Sequence, residues 1–342
     1  MSKNNEEQQL SAPTLADIQE AATALSGIAT YTPLMENTEV NVRLGGRLLI
    51  KAENTQRTGA FKIRGAYNRI RQLDADAKKR GVIAYSSGNH GQAVALAASL
   101  VGTSAMIVMP NDASALKMDR IRQFGGDVVT YDRAAELGDD AARRMRDATH
   151  RVMVPPSEDR RVMAGAGTVP FELYHQAVAS DATLDAVLVP CGGGGLTAVS
   201  AIVMAALSPT TQVYATEPAL FDDTCRSLLA GKRLSNPTGR KTICDAIMTP
   251  TPGKTTFSIN KALLAGGLSV SDNAVCMAMK CAFDDYKSVV EPGAAVGLAA
   301  VLNGKIDIRG KTIAVILTGG NVDTTKYCSA LHQAENLIQN QE

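Results

Sequence analysis

Seven short apolar runs recur along this 342-residue chain, and they are continuous rather than alternating. They are G-V-I-A-Y (81–85), A-M-I-V-M (105–109), D-V-V-T-Y (127–131), R-V-M-V-P (151–155), A-V-L-V-P (186–190), Q-V-Y-A-T (212–216) and T-I-A-V-I-L (312–317). A strand with one wet face alternates apolar with polar residues, so continuous runs predict strands buried on both faces. Helix-like stretches at 89–101, 114–124, 134–148, 195–207 and 271–287 lie between them, and the tail after about 325 reads as one amphipathic helix. Strand–helix alternation of this kind predicts doubly wound α/β domains built on parallel sheets.

Ligands of such sheets gather at the carboxyl ends of the strands. Four polar or glycine-rich runs stand at that position: S-S-G-N-H-G-Q (86–92), C-G-G-G-G-L (191–196), E-P (217–218) and T-G-G-N (318–321). The rest of the composition excludes more than it suggests. With 35 basic against 34 acidic residues, no bulk field favours nucleic acid or an anionic membrane. The apolar runs are too short to span a bilayer, and the polar start M-S-K-N-N-E-E-Q-Q-L-S lacks the apolar core of a signal peptide, so the cytoplasm is expected. Six scattered cysteines without C-x-x-C spacing predict buried thiols rather than disulfides or a zinc site.

Lys62 sits in T-G-A-F-K-I-R-G-A (58–66), just after a glycine turn and at the start of a helical pattern. Most lysines are solvated helix residues. Here small neighbours let a flat ligand approach, Phe61 offers a wall, and partial burial favours the free amine that Schiff-base chemistry needs. Gly192–Gly195 join a strand to a helix, which suits backbone N–H groups wrapping an anion at a helix N-terminus, although a plain flexible turn has the same composition. The run is neither a dinucleotide fingerprint nor a P-loop. Ser86, Ser87, Asn89 and His90 follow a strand; they serve either as a helix-capping loop or as a carboxylate grip. A lysine able to form a Schiff base and a separate phosphate cup are together what a chain needs to hold pyridoxal phosphate.

In order along the chain stand T-P-L (32–34), T-G-A-F-K-I-R-G-A, S-S-G-N-H-G-Q-A-V-A, A-G-x-G-T (164–168), C-G-G-G-G-L, E-P-x-x-x-D-D (217–223), E-P-G-A-A-V-G (291–297) and T-G-G-N. In these motifs the chain resembles the fold-type II pyridoxal-phosphate enzymes of the threonine/serine dehydratase and serine racemase group, over nearly its whole length. The resemblance implies a tryptophan synthase β-like α/β fold. It has two doubly wound domains with mainly parallel twisted sheets and the cofactor in the cleft between them. The large domain would comprise 1–60 plus 156–342, and the small domain, 61–155, would be inserted in it.

Carried over by position, the resemblance makes Lys62 the Schiff-base lysine and the base on one face of the cofactor. Gly192, Gly193, Gly194, Gly195 and Leu196 would hold the phosphate, with Phe61, Asn89, Glu291 and Thr318 around the ring. Asn89 would bond the phenolic oxygen and Thr318 the pyridine nitrogen. Ser87 would face Lys62 across the ring. Ser86, Ser87, Asn89 and His90 would receive the substrate carboxylate. Glu217 and Asp223, with the carbonyl of Phe221, would bind Mg²⁺ or Ca²⁺, a set of hard oxygen ligands suited to such a cation, although surface or capping acids share that spacing. A hydroxyl at Thr318 does not hold the ring nitrogen protonated, which favours expelling a β-leaving group over accumulating a carbanion.

The implied activity is β-elimination from L-threonine, L-serine or a related β-hydroxy amino acid, giving a 2-oxo acid and ammonia. A racemase using Lys62 and Ser87 as opposed bases is the alternative, and a non-catalytic cofactor- or amino-acid-binding regulator is a remoter one. The expected partner is a small amino-acid substrate, within a homodimer. Three positions depart from the commonest family forms: Ala60 where a serine often stands, Ala246 where a glycine does, and Gly138 near an arginine of serine racemase.

Overall fold

The burial of whole strands decides the architecture. In the computed structural model, which describes residues 11–340 apart from 114 and 133, the chain divides into two units. The first comprises the described residues up to Ala29 together with Phe61–Ala166. The second comprises Thr30–Ala60 and the described residues from Gly167 onward.

The first unit is built on four parallel strands in the order β5-β4-β3-β6, where β3 is Val82–Tyr85, β4 Ala105–Pro110, β5 Gly126–Tyr131 and β6 Val152–Met153. Val82, Ala84, Ile107 and Met109 pack with Ile63, Ile70 and Val94 in one core layer. The intervening Ile83 and Val108 pack with Ala141 and Ala142 in another. Neighbouring residues of one strand thus feed opposite layers, the physical reason that these runs are apolar without alternation.

In the second unit six strands follow the order β1-β2-β10-β7-β8-β9. These are β1 Leu34–Glu36, β2 Arg47–Ala52, β7 Ala186–Pro190, β8 Gln212–Pro218, β9 Gly266–Val270 and β10 Thr312–Leu317. β1 pairs antiparallel with β2, and the other pairings are parallel. Leu48, Ile50, Leu188, Val315 and Leu317 share a core with helices Asp272–Asp284 and Pro292–Leu302. The apolar runs at 186–190, 212–216 and 312–317 all fall in this sheet, so the segments after them end at the same carboxyl edge.

Strands β1, β2 and β9 have no counterpart among the predicted runs. β9 reads G-G-L-S-V, and β2 carries Lys51. Lys51 is fully buried because its ammonium donates to Glu172 at 2.8 Å, to Gln176 at 2.9 Å and to the Thr32 carbonyl at 2.8 Å. A charge neutralised by residues distant in sequence hides a central strand from pattern reading.

Helix Leu15–Leu25 groups with the first unit, whereas the sequence placed all of 1–60 in the large domain. Arg160 fixes it there by donating to Asp17 at 2.7 Å. Among the described residues no helix is long and apolar enough to cross a membrane.

Candidate active site

In the first unit, Lys62 opens helix Lys62–Arg71 directly after Phe61. Its side chain is half-buried, its Nζ donates to the Pro156 carbonyl at 2.9 Å, and the ammonium stands 5.0 Å from the centroid of the Phe61 ring. The helix lies close against helix Arg160–Ala166 because both surfaces carry glycine. A Cβ on Gly165 would lie 2.3 Å from the Arg64 carbonyl oxygen. The A-G-x-G-T motif is therefore partly a packing motif, seating the helix that begins at Lys62.

The S-S-G-N-H segment leaves the carboxyl end of β3. Ser86 Oγ accepts the Gly88 N–H at 3.1 Å, shaping the turn. Asn89 is the first residue of helix Asn89–Val101, whose N-terminus has no side-chain cap, so its backbone donors suit an anion. Ser86, Ser87 and Asn89 are half-buried. His90 points inward, with Nε2 2.8 Å from the Val154 carbonyl, while Nδ1 is buried and meets no hydrogen-bond partner among the described residues. Burial, with a contribution from nearby Lys62, pushes the imidazole down to about 3. His90 is thus neutral, and its ring bonds within the fold. Beside this segment Tyr85 bonds Tyr131 through their hydroxyls at 3.0 Å, and a Cβ on Gly138 would stand 2.1 Å from the Tyr85 ring.

In the second unit, β7 runs into Gly192–Gly195 and then into helix Gly195–Leu207, again with no side-chain cap. Gly194 has φ 82°, the left-handed region, and a Cβ there would come within 2.8 Å of Asn260 Nδ2. Thr256 Oγ1 donates to the Gly193 carbonyl at 2.6 Å. Thr197 Oγ1 donates to the Gly194 carbonyl at 2.8 Å, and Asn260 Nδ2 also reaches it at 3.3 Å. A trans peptide sets its N–H opposite its carbonyl, so tying these carbonyls down turns the N–H groups of Gly194 and Gly195 the other way. Thr256 and Asn260 lie far from the glycines in sequence, and no motif marks them.

Around the loop, Gly192 approaches Ile247, and Gly293 approaches both Ala246 and Ile247, so Ala246 packs against the start of helix Pro292–Leu302. Glu291 precedes that helix, and its N–H donates to the Gly319 carbonyl at 3.1 Å. Gly319 follows Thr318, itself buried at the end of β10, and forms an antiparallel bridge with Ala60. Ala60 is fully buried in that bridge.

Glu217 ends in the buried part of β8, one residue after Thr216, whose carbonyl accepts the Cys191 N–H at 2.9 Å. Its carboxylate accepts the N–H groups of Thr224 at 3.1 Å and Cys225 at 2.7 Å. Asp223 is fully buried: it accepts from Asn236 Nδ2 at 2.6 Å, and its Oδ2 meets no partner among the described residues. Burial raises both carboxyls, Glu217 to about 7 and Asp223 to about 6, with Asp223 adding to the rise at Glu217. Phe221 is buried between them in sequence. Among the described residues no three His, Cys, Asp or Glu side chains cluster as metal ligands.

A family model described as "Pyridoxal-phosphate dependent enzyme" matches residues 25–319. The chain belongs to this family. Three proteins resemble it over nearly their full length. The L-threo-3-hydroxyaspartate ammonia-lyase of Saccharomyces cerevisiae is 37% identical, covering 95% of this chain and 98% of its own. The serine racemase of Homo sapiens is 36% identical, covering 94% and 95% respectively. The crystal structure of a T.th. threonine deaminase superposes with a TM-score of 0.86 at 39% identity, covering 91% of this chain and 99% of its own. The chain is thus a pyridoxal-phosphate-dependent enzyme of the ammonia-lyase and racemase group, with the mostly parallel α/β fold of fold type II.

Proposed function

We propose that this enzyme is a hydroxy-amino-acid ammonia-lyase, converting L-threonine, L-serine or a related β-hydroxy amino acid to a 2-oxo acid and ammonia. The observation that carries this choice is similarity over more than nine-tenths of the chain to relatives named as ammonia-lyases of a β-hydroxy amino acid, at 37% and 39% identity. Pyridoxal phosphate, when bound, supplies the electron sink that lets the α-proton and the β-substituent leave.

The chain's own residues fit that task. The N–H groups that Thr256, Thr197 and Asn260 turn outward suit a phosphate, and the adjoining helix N-terminus adds a favourable field. Lys62 is the proposed carrier of the cofactor and the base that takes the α-proton at Nζ. The neutral Pro156 carbonyl orients its amine without adding a negative charge that would hold the proton on. The uncapped start of helix Asn89–Val101, with Ser86 and Ser87, is the proposed grip for the substrate carboxylate. Phe61, Asn89, Glu291 and Thr318 would border the ring. Thr318 would meet the pyridine nitrogen with a hydroxyl, which does not keep that nitrogen protonated.

Racemisation is the second reading, favoured by Ser87 as a base opposed to Lys62 and by similarity to serine racemases. A panel of L-threonine, L-serine and L-threo-3-hydroxyaspartate assayed for 2-oxo acid and ammonia separates the two. Racemised serine without pyruvate overturns the lyase assignment. Lys62→Ala is expected to abolish both activities and the visible absorbance of lysine-bound cofactor; an unchanged spectrum would refute the role of Lys62.

A divalent cation, Mg²⁺ or Ca²⁺, is proposed at Glu217, Asp223 and the Phe221 carbonyl. Two buried carboxylates and the unpartnered Asp223 Oδ2 support it. A cytoplasmic homodimer goes with the family reading, and light scattering tests the dimer.

A further inference from the structure

We propose that the first unit carries a separate anion site, a cavity lined by Arg69, Arg160 and Arg161 that takes a phosphate group. The cavity has a volume of about 510 Å³ and lies among helices Leu15–Leu25, Lys62–Arg71 and Arg160–Ala166. That is within the roughly 300–1,000 Å³ typical of small-molecule sites.

Its charges are arranged unevenly. Arg160 is held by Asp17 at 2.7 Å and by Ser11 Oγ at 2.9 Å. Arg69, itself buried, is held by Asp159 at 2.9 Å. The other carboxylates lining the cavity are engaged as well. Glu20 accepts from Arg71 at 2.9 Å, and Asp74 caps helix Ala75–Arg80 through the Ala77 N–H at 2.7 Å.

Of these three arginines, Arg161 is the one with no carboxylate within ion-pairing distance among the described residues. Its guanidinium makes one 3.4 Å approach to the Gln72 carbonyl, and Arg80, on the same wall, donates to a neutral carbonyl of His150 at 3.0 Å. Burial, with Arg69 and Arg71 nearby, pushes the Arg161 guanidinium down, and the more distant carboxylates of Asp159 and Glu20 offset this only in part.

Two guanidiniums fixed by carboxylates and a third left with donors to spare form a pre-set fork for a tetrahedral oxyanion. A phosphate group supplies the missing negative charge and accepts several of these donors at once. A carboxylate would satisfy one fork but leave much of the volume and charge unused. The glycine loop belongs to the other unit.

The test is titration calorimetry on the enzyme saturated with pyridoxal phosphate, so that the glycine loop does not compete. Inorganic phosphate and glycerol 2-phosphate are the two probes, applied to the wild type, Arg161→Gln and Arg161→Lys, with melting temperatures taken for each. Saturable binding of at least one probe is expected, weakened by roughly tenfold or more in Arg161→Gln, as for loss of a charge-assisted bond. A smaller loss is expected in Arg161→Lys, which keeps the charge but not the fork. Tighter binding of the ester identifies a phosphomonoester as the occupant, and tighter binding of inorganic phosphate identifies the free ion. Absence of saturable binding by both probes, or unchanged affinity in a folded Arg161→Gln protein, overturns the site. If Arg161→Gln does not fold, Arg161→Lys carries the same comparison.

Discussion

His90 donates its Nε2 proton to the carbonyl of Val154 across 2.8 Å, since a carbonyl can only accept. The contact ties the start of helix Asn89–Val101 to the segment just after β6, and it fixes which imidazole nitrogen carries the proton. The other nitrogen is buried without a partner among the described residues, so a second proton meets no acceptor there.

A pH dependence follows from that burial. The imidazole titrates near 6.5 when unfolded and at about 3 when folded, so between these values the unfolded chain binds the extra proton. The contribution of neutral His90 is therefore full above about 6.5 and is lost as pH falls toward 3. Thermal melts of wild type against His90→Gln should show the mutant less stable at pH 7.5, with the gap narrowing toward pH 4.5. A gap that stays constant over that range removes His90 as the titrating group.

The glycine loop should tolerate almost nothing at Gly194. An alanine there has to adopt φ 82°, which costs about 1–2 kcal/mol, and its Cβ would press on Asn260 at 2.8 Å. Gly194→Ala is expected to lower stability by about that amount and to weaken retention of pyridoxal phosphate on dialysis. Full retention with native stability would show that the loop's conformation is not what holds the cofactor.

Thr256 and Asn260 act on the same loop from behind. Thr256→Val removes the donor to the Gly193 carbonyl while keeping the side-chain shape, leaving a half-buried acceptor short of one bond. A stability loss of about 1–3 kcal/mol is expected in denaturant melts. Cofactor affinity should fall with it, whereas a purely structural threonine would lower stability alone.

At the acidic pair, Mg²⁺ or Ca²⁺ should raise the melting temperature of the wild type, because a cation relieves two buried carboxylates at once. Asp223→Asn removes one charge and should reduce or abolish that rise. A wild-type melt insensitive to both cations after chelator treatment counts against the metal.

Gly138 should be required by Tyr85 rather than by its own backbone. With a Cβ 2.1 Å from the ring, Gly138→Ala must displace Tyr85 from its bond with Tyr131, and a loss of roughly 1–3 kcal/mol is expected. Pairing the change with Tyr85→Ala should recover part of that loss, measured as a coupling in a double-mutant cycle. Simple additivity of the two substitutions would mean that the clash is not the cause.

Much of this enzyme is written locally. Strands such as 186–190 and 312–317 are legible because both their faces are buried, which forces apolar residues at every position. Gly192–Gly195 and the helix that follows are legible because a tight strand-to-helix junction needs residues without side chains. Tertiary structure decided what depends on partners remote in sequence. Lys51 is buried in the sheet because Glu172 neutralises its ammonium and Gln176 accepts a further hydrogen bond from it. His90 stands in a polar run after a strand, and only folding supplies the Val154 carbonyl that accepts the hydrogen bond from its Nε2–H. Gly138 reads as a missing side chain until the Tyr85 ring fills its place. Local sequence sets burial pattern and backbone freedom, but a polar group's role is set by which acceptor or charge folding brings beside it, and only the folded chain specifies that neighbour.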